Sequence, residues 1–222
     1  LRAIEGMKVS SKYILREGEK MTKSRLEAFT DGVVAIVLTV LVLNIQIPDA
    51  PSLASLLSIT NTLFAYIVSF IFVAVIWVNH HRMMQMTEKI NYRVIWANIF
   101  WLFWLTLCPA VTSWVGRNPN HFWPEFSYVV VFTMWSFSYG ILSKQLIKAN
   151  SPTSHVATIL KRDQRSKLSM LINLAVLAGV FIFPPIGIFG RFLVSGIWVV
   201  SYRKADAVSY THLRAHETRR HL

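Results

Sequence analysis

Charge is scarce in this chain. Of its 222 residues only 15% are charged, whereas soluble domains carry about 25%. Acidic residues are the scarcer sign, 11 against 23 Lys and Arg. The single cysteine, Cys108, excludes an intrachain disulfide. It sits inside an apolar run and reads as a small buried hydrophobe. No G-x-S-x-G, no H-E-x-x-H and no pair of aspartates lies in the apolar segments. An intramembrane enzyme would need such a nucleophile, metal motif or acid pair. No cofactor motif is present either, and no cofactor is expected. The first 24 residues are polar and basic without an apolar core, so they do not form a signal peptide. The first apolar segment must act as its own insertion signal.

What the chain has is apolar mass. It is 54% hydrophobic, with 8 Trp and 14 Phe and a mean hydropathy of +0.44. Aromatic rings of this number suit membrane interfaces and helix packing. The class is an all-α polytopic membrane protein. Six segments approach the roughly 20 residues a spanning helix needs, near 29–47, 55–79, 93–115, 123–144, 168–184 and 186–202. Pro184 and Pro185 divide the last two, which reads as a tight turn between short helices.

The basic residues test that count, because Lys and Arg gather in cytoplasmic loops. Seven precede the first span, none follow it, and three, one, six, one and five occupy the later connections and the tail. The numbers alternate at every crossing, with Arg191 as the one charge of the fifth connection. Six spans and two cytoplasmic ends satisfy this pattern; five or seven break it. The excess charge then faces anionic headgroups of the lipid bilayer. It forms no single patch, so no nucleic acid partner is expected. Residues 1–24 read as a cytoplasmic segment, 25–202 as the membrane domain and 203–222 as a tail. Met7 is the expected start. AVSYTHLRAHETRRHL, from about residue 207, reads as translated adapter sequence.

The first span carries two patterns. At 100° per residue Ile36, Thr39, Val40 and Leu43 form one stripe, which extends back through Gly32, Phe29 and Arg25. Asp31 falls roughly 140° from Ile36, on the opposite face with Val34, Leu38 and Leu41. An aspartate at a span edge is tolerated when the helix N-terminal dipole and an outside donor stabilise it. Arg25 lies roughly 240° round the helix from Asp31, too far for a pair within one straight helix. Partners must come from elsewhere. Candidates stand in IWVNHHR, where Trp77, Asn79, His80 and His81 close the second span.

Arg25, Phe29, Thr30 and Asp31 match the R-x-x-x-F-S-D signature of the bacterial transmembrane protein 175 family, with threonine in place of the usual serine. The WVNHH segment and the six-span layout resemble that family too, over about residues 20–202. The family comprises potassium channels related to a lysosomal and endosomal channel. The resemblance implies a homotetramer in a bacterial inner (plasma) membrane, with the first helix of each subunit lining a central pore. It also implies apolar rings with a nearby threonine layer in place of the T-V-G-Y-G filter, which this sequence lacks. By position within the signature those layers are Ile36, Thr39, Val40 and Leu43, the stripe that the wheel picks out. Arg25, Phe29, Thr30, Asp31, Trp77, Asn79 and His80 are then an inter-helix network, with His80 joining Arg25 and Asp31. No metal is expected beyond potassium in transit.

A secondary transporter of a cation or small solute is the alternative. Such proteins carry midplane charges and internal repeats, and no midplane acid and no convincing repeat stand out here. Three further readings concern packing. His121, Trp123 and Glu125 read as an interfacial belt. Gly187, Gly190 and Gly196 read as sites of close helix approach. His80 and His81 lack a third ligand at metal spacing.

Overall fold

The computed structural model describes residues 22–198. The expected starting methionine, nearly all of the N-terminal segment and the tail lie outside them. The described residues form α1 (Lys23–Leu43), α2 (Leu53–Ser58), α3 (Thr60–Gln85), α4 (Tyr92–Arg117), α5 (Phe122–Ala149), α6 (His155–Arg162) and α7 (Arg165–Gly179), followed by α8 (Ile186–Trp198). No strand occurs among them.

Local chemistry sets the helix ends. Thr22 caps α1, its Oγ1 accepting from Arg25 N at 3.4 Å, and Asn91 caps α4, its Oδ1 accepting from Val94 N at 3.0 Å. Each satisfies a backbone donor that the first helical turn leaves free. The first span therefore starts at Lys23, not 29, and ends at Leu43, four residues short of the expected 47. Arg25, Phe29, Thr30 and Asp31 are thus fully helical. The second span also shifts. Ile59 interrupts the helix (φ −97°, ψ 7°), leaving α2 as a separate turn, and α3 runs on to Gln85. Trp77, Asn79, His80 and His81 accordingly lie within α3 rather than at its end.

Four helices, α1, α3, α4 and α5, are long and apolar enough to cross a membrane. The fifth and sixth expected spans are shorter. Helix α7 has 15 residues, or about 22 Å at 1.5 Å per residue, against about 30 Å of hydrocarbon. The loop expected before it contains α6, which buries Val156 and Ala157 and ends in Lys161 and Arg162. Turn bonds from Ile186 N to Phe183 O and from Gly187 N to Pro184 O (both 3.1 Å) join the chain to α8.

The core lies between α3, α4, α5 and α8. Phe72 packs edge-on against Trp135 at 5.3 Å and against Phe132 at 5.5 Å, and Trp101 meets Trp135 at 5.7 Å. Arg191 is not a loop charge. It sits in α8 at 2% exposure, its guanidinium carbon 4.7 Å from the centroids of both Phe72 and Phe132. Two aromatic faces supply the attraction that an anion would otherwise provide. Glu125 is likewise buried at 2% exposure rather than interfacial, and Cys108 is buried with its thiol directed to Trp104 O at 3.5 Å.

Close approach explains some glycines. A side chain at Gly190 would strike Val176, and one at Gly187 would strike Glu125. Gly196 has open space around it, so the packing role expected there does not hold within this subunit. At Gly116 a Cβ would stand 2.8 Å from Thr62 Cα. Backbone cannot move aside as a flexible side chain can. Gly116→Ala is expected to cost about 1–3 kcal/mol by forcing α3 and α4 apart, seen as a lower unfolding midpoint in detergent.

One end of the bundle gathers the basic connections. Lys23 Nζ donates to Gln85 O (3.2 Å) and Thr87 O (2.9 Å), placing a cation at the C-terminal end of α3, where the helix dipole favours it. Asn150 Oδ1 accepts from Glu88 N (3.2 Å) and Lys89 N (2.9 Å), and Arg165 reaches Asn79 Oδ1 at 3.4 Å.

Candidate pore site

Helix α1 has two unlike faces. Leu26, Thr30, Val34, Val37 and Leu41 are buried against the bundle, at the i, i+3, i+4 spacing of a packed stripe. The other face is bare. Phe29, Ile36, Val40 and Leu43 are 54%, 65%, 39% and 74% exposed. Thr39 is exposed among them and donates its hydroxyl to Ala35 O at 2.9 Å. With the hydrogen spent on the helix, the free lone pairs of Thr39 Oγ1 are acceptors.

The buried face is held by two polar contacts to different helices. Trp77 Nε1, on α3, donates to Asp31 Oδ1 at 2.8 Å. Deeper in, Asn98 Nδ2 of α4 donates to Thr30 Oγ1 at 2.8 Å, and Thr30 in turn donates to Leu26 O at 2.8 Å. Asn98 Oδ1 lies 2.8 Å from His80 Nε2. Since that amide oxygen only accepts, His80 Nε2 is the donor. The His80 ring stacks on Trp101, 4.6 Å between centroids and 9° from parallel. This leaves α1, α3 and α4 bonded to one another through fully buried groups.

Several sequence expectations are rearranged. His80 does not bond Asp31; Asn98 stands between it and α1, because the His80 ring lies flat on Trp101 of α4. Arg25 is exposed, and its side chain bonds nothing among the described residues. Six residues of helix aim it away from Asp31. Asn79 belongs to a different group: its Nδ2 donates to Val75 O at 2.8 Å, and its Oδ1 accepts from Arg165. Phe29 lies on the bare face. Asn98 was missed by sequence reasoning, although the signal was present, since an amide inside an apolar run needs a partner. Ser69, Tyr128 and Thr112 form a second buried chain of that kind, at 3.0 and 2.9 Å.

The Asp31 contact is testable alone. Trp77→Phe keeps an aromatic ring, smaller than indole, and removes the donor. It is expected to cost about 1.5–3 kcal/mol, the range for a bond to a charged group. Thermal unfolding in detergent reads this, and an unchanged midpoint would show that this contact does not hold α1 against α3.

The model of the family described as "Endosomal/lysosomal potassium channel TMEM175" matches residues 25–109. That segment begins at Arg25 and holds Thr30, Asp31, Trp77, His80 and Asn98. A potassium channel of Chryseobacterium sp. (strain P1-3) is 36% identical over 186 residues, 84% of this chain and 97% of its own length. The chain belongs to the TMEM175 family. The crystal structure of a TMEM175 homologue from Chamaesiphon minutus, titled a lysosomal potassium-selective channel homologue, superposes with a TM-score of 0.72 at 25% identity. It covers 81% of this chain and 97% of that one. The human relative, named an endosomal/lysosomal proton channel, is 40% identical over 117 residues, 46% of this chain and 23% of its own. Residues outside 25–109, including Arg191 and the α6–α7 region, lie beyond the family model's match.

Proposed function

We propose that the chain is a subunit of a potassium-selective channel in a bacterial inner membrane. Four copies surround a passive pore, each contributing the bare face of α1. Both chain ends lie in the cytoplasm, where the clustered basic connections meet anionic headgroups. The α7 and α8 helices complete a six-span subunit, their shortness accommodated by local thinning of the bilayer.

The observation that carries this reading is the bare stripe of α1. Ile36 and Leu43 are 65% and 74% exposed, on the face of α1 turned away from the helices that bury Leu26, Val34, Val37 and Leu41. Four isoleucines facing an axis make a dry neck that conducts only when wetted. Thr39 adds four oxygens whose lone pairs point outward, the polarity a cation needs to replace hydration water. The half-buried Asp31–Trp77 contact and the buried Thr30, Asn98 and His80 contacts support this reading, since they limit the rotation of α1.

Reconstitution into liposomes tests it. Assembled protein in a potassium gradient is expected to pass potassium well above sodium. A parallel arm with a pH-reporting dye measures proton flux, because relatives carry both names. Absence of potassium flux from protein shown to be tetrameric by light scattering would sink the proposal.

A further inference from the structure

A cleft of about 660 Å³ opens between α5 and α7 beneath the end of α6. Its walls are divided by depth. Phe137 and Ile141 of α5 and Leu171 of α7 make an apolar stretch further from the basic end, open enough that Phe137 and Leu171 are 47% and 66% exposed, while Lys144, Lys161 and Lys167 stand at its mouth toward that end. Phe137 lies seven residues, about 10 Å, further along α5 than Lys144 from the basic end of the bundle. Leu171 lies about 6 Å beyond Lys167 on α7.

The charge at the mouth is not neutralised from within. The one acid in the lining, Asp163, is already engaged. Arg165 Nε and Nη2 each reach one of its oxygens at 2.8 Å, and Arg165 N adds a bond at 2.9 Å. The Arg165 guanidinium also lies 5.1 Å from the Trp198 ring of α8, which anchors this pair to the bundle. The three lysines are all exposed. The result is a cationic rim over an apolar trough, at the end of the bundle where Lys23, Lys89 and Arg165 also lie.

We propose that this cleft binds one anionic phospholipid, with its phosphate between Lys144, Lys161 and Lys167 and an acyl chain along Phe137, Ile141 and Leu171. Charge and depth together select the occupant. A free phosphate has no use for the trough, and a zwitterionic lipid brings its own cation to a rim that already holds three. Basic pockets between membrane helices recognise acidic headgroups on this principle. The volume also falls within the roughly 300–1,000 Å³ usual for ligand sites. Since α6 and α7 both line the cleft, the lipid ties the α6–α7 connection to α5.

Native mass spectrometry of the purified assembly, after titration with phosphatidylglycerol or phosphatidylcholine of matched chains, tests the site. The expected result is one phosphatidylglycerol retained per subunit and much weaker phosphatidylcholine. Each lysine near an acidic headgroup is worth about fivefold in affinity, so Lys161→Ala with Lys167→Ala should weaken retention about thirtyfold. Lys148→Ala, an exposed charge outside the lining, should leave it unchanged. Gly140 lines the cleft with nothing within 4 Å of an added Cβ. Gly140→Ala is therefore accommodated and serves as the packing control, whereas Gly140→Leu carries bulk into the trough and should abolish retention with all three lysines present. Size-exclusion profiles confirm that each variant assembles. Equal retention of phosphatidylcholine, equal loss in Lys148→Ala, unaltered binding in Gly140→Leu, or displacement of the lipid by inorganic phosphate alone would each overturn the proposal.

Discussion

Ile36→Asn is expected to raise sodium flux relative to potassium flux about tenfold in liposomes, by wetting the dry neck of the proposed pore. The side chain is 65% exposed within the subunit, so the substitution removes little intra-subunit packing. Changes at such positions usually alter stability by no more than about 0.5 kcal/mol. In the proposed tetramer an amide on each of four chains would give the neck a ring of donors and acceptors in place of methyl groups. Asp31→Asn provides the contrast. It keeps an oxygen for Trp77 Nε1 but loses the charge that strengthens the bond. It should lower the yield of assembled protein and leave the ion preference of surviving channels intact. If Asp31→Asn shifts selectivity in well-assembled tetramers, the division of α1 into a pore face and a frame face is wrong.

Asn98→Leu should destabilise the subunit by about 3 kcal/mol, although the two side chains are close in size. The cost comes from the groups left behind. His80 Nε2 and Thr30 Oγ1 each lose a partner in a site from which water is excluded, and an unmet buried polar group costs about 1–3 kcal/mol. For a chain of this length that corresponds to roughly 10 °C in the unfolding midpoint, measurable by fluorescence-detected gel filtration. Because Asn98 touches α1 and α3 together, its loss should also free the rotation of α1. Ion selectivity in Asn98→Leu should therefore weaken alongside stability. A lowered midpoint with unaltered selectivity would mean that Trp77 and Asp31 alone hold the register of α1.

The residues differ in how plainly they announced themselves. Thr30 and Asp31 were visible as polar groups in an apolar helix, and Trp77 as a nearby donor. Asn98 carried the same kind of signal but sits alone, with no motif around it. Arg191 was misplaced for a clear reason: beside Pro184 and Pro185 an arginine reads as a turn charge. Only the aromatic rings of Phe72 and Phe132, from two other helices, make its burial tolerable. Gly196 erred in the other direction, since glycine spacing signals possible contact and not the presence of a neighbour.

The sequence by itself determined the division of α1 into faces, the helical class of the chain and the gathering of basic residues into alternate connections. These depend on backbone period and on the cost of charge in hydrocarbon, which act locally and need no knowledge of neighbours. Tertiary structure alone decided that His80 reaches α1 through Asn98, that Arg25 stays out of the frame, and that three lysines from three elements meet over one trough. Those outcomes depend on the relative rotation and depth of the helices. Close packing of Phe72, Trp101, Phe132 and Trp135 sets both, and no single segment contains that information.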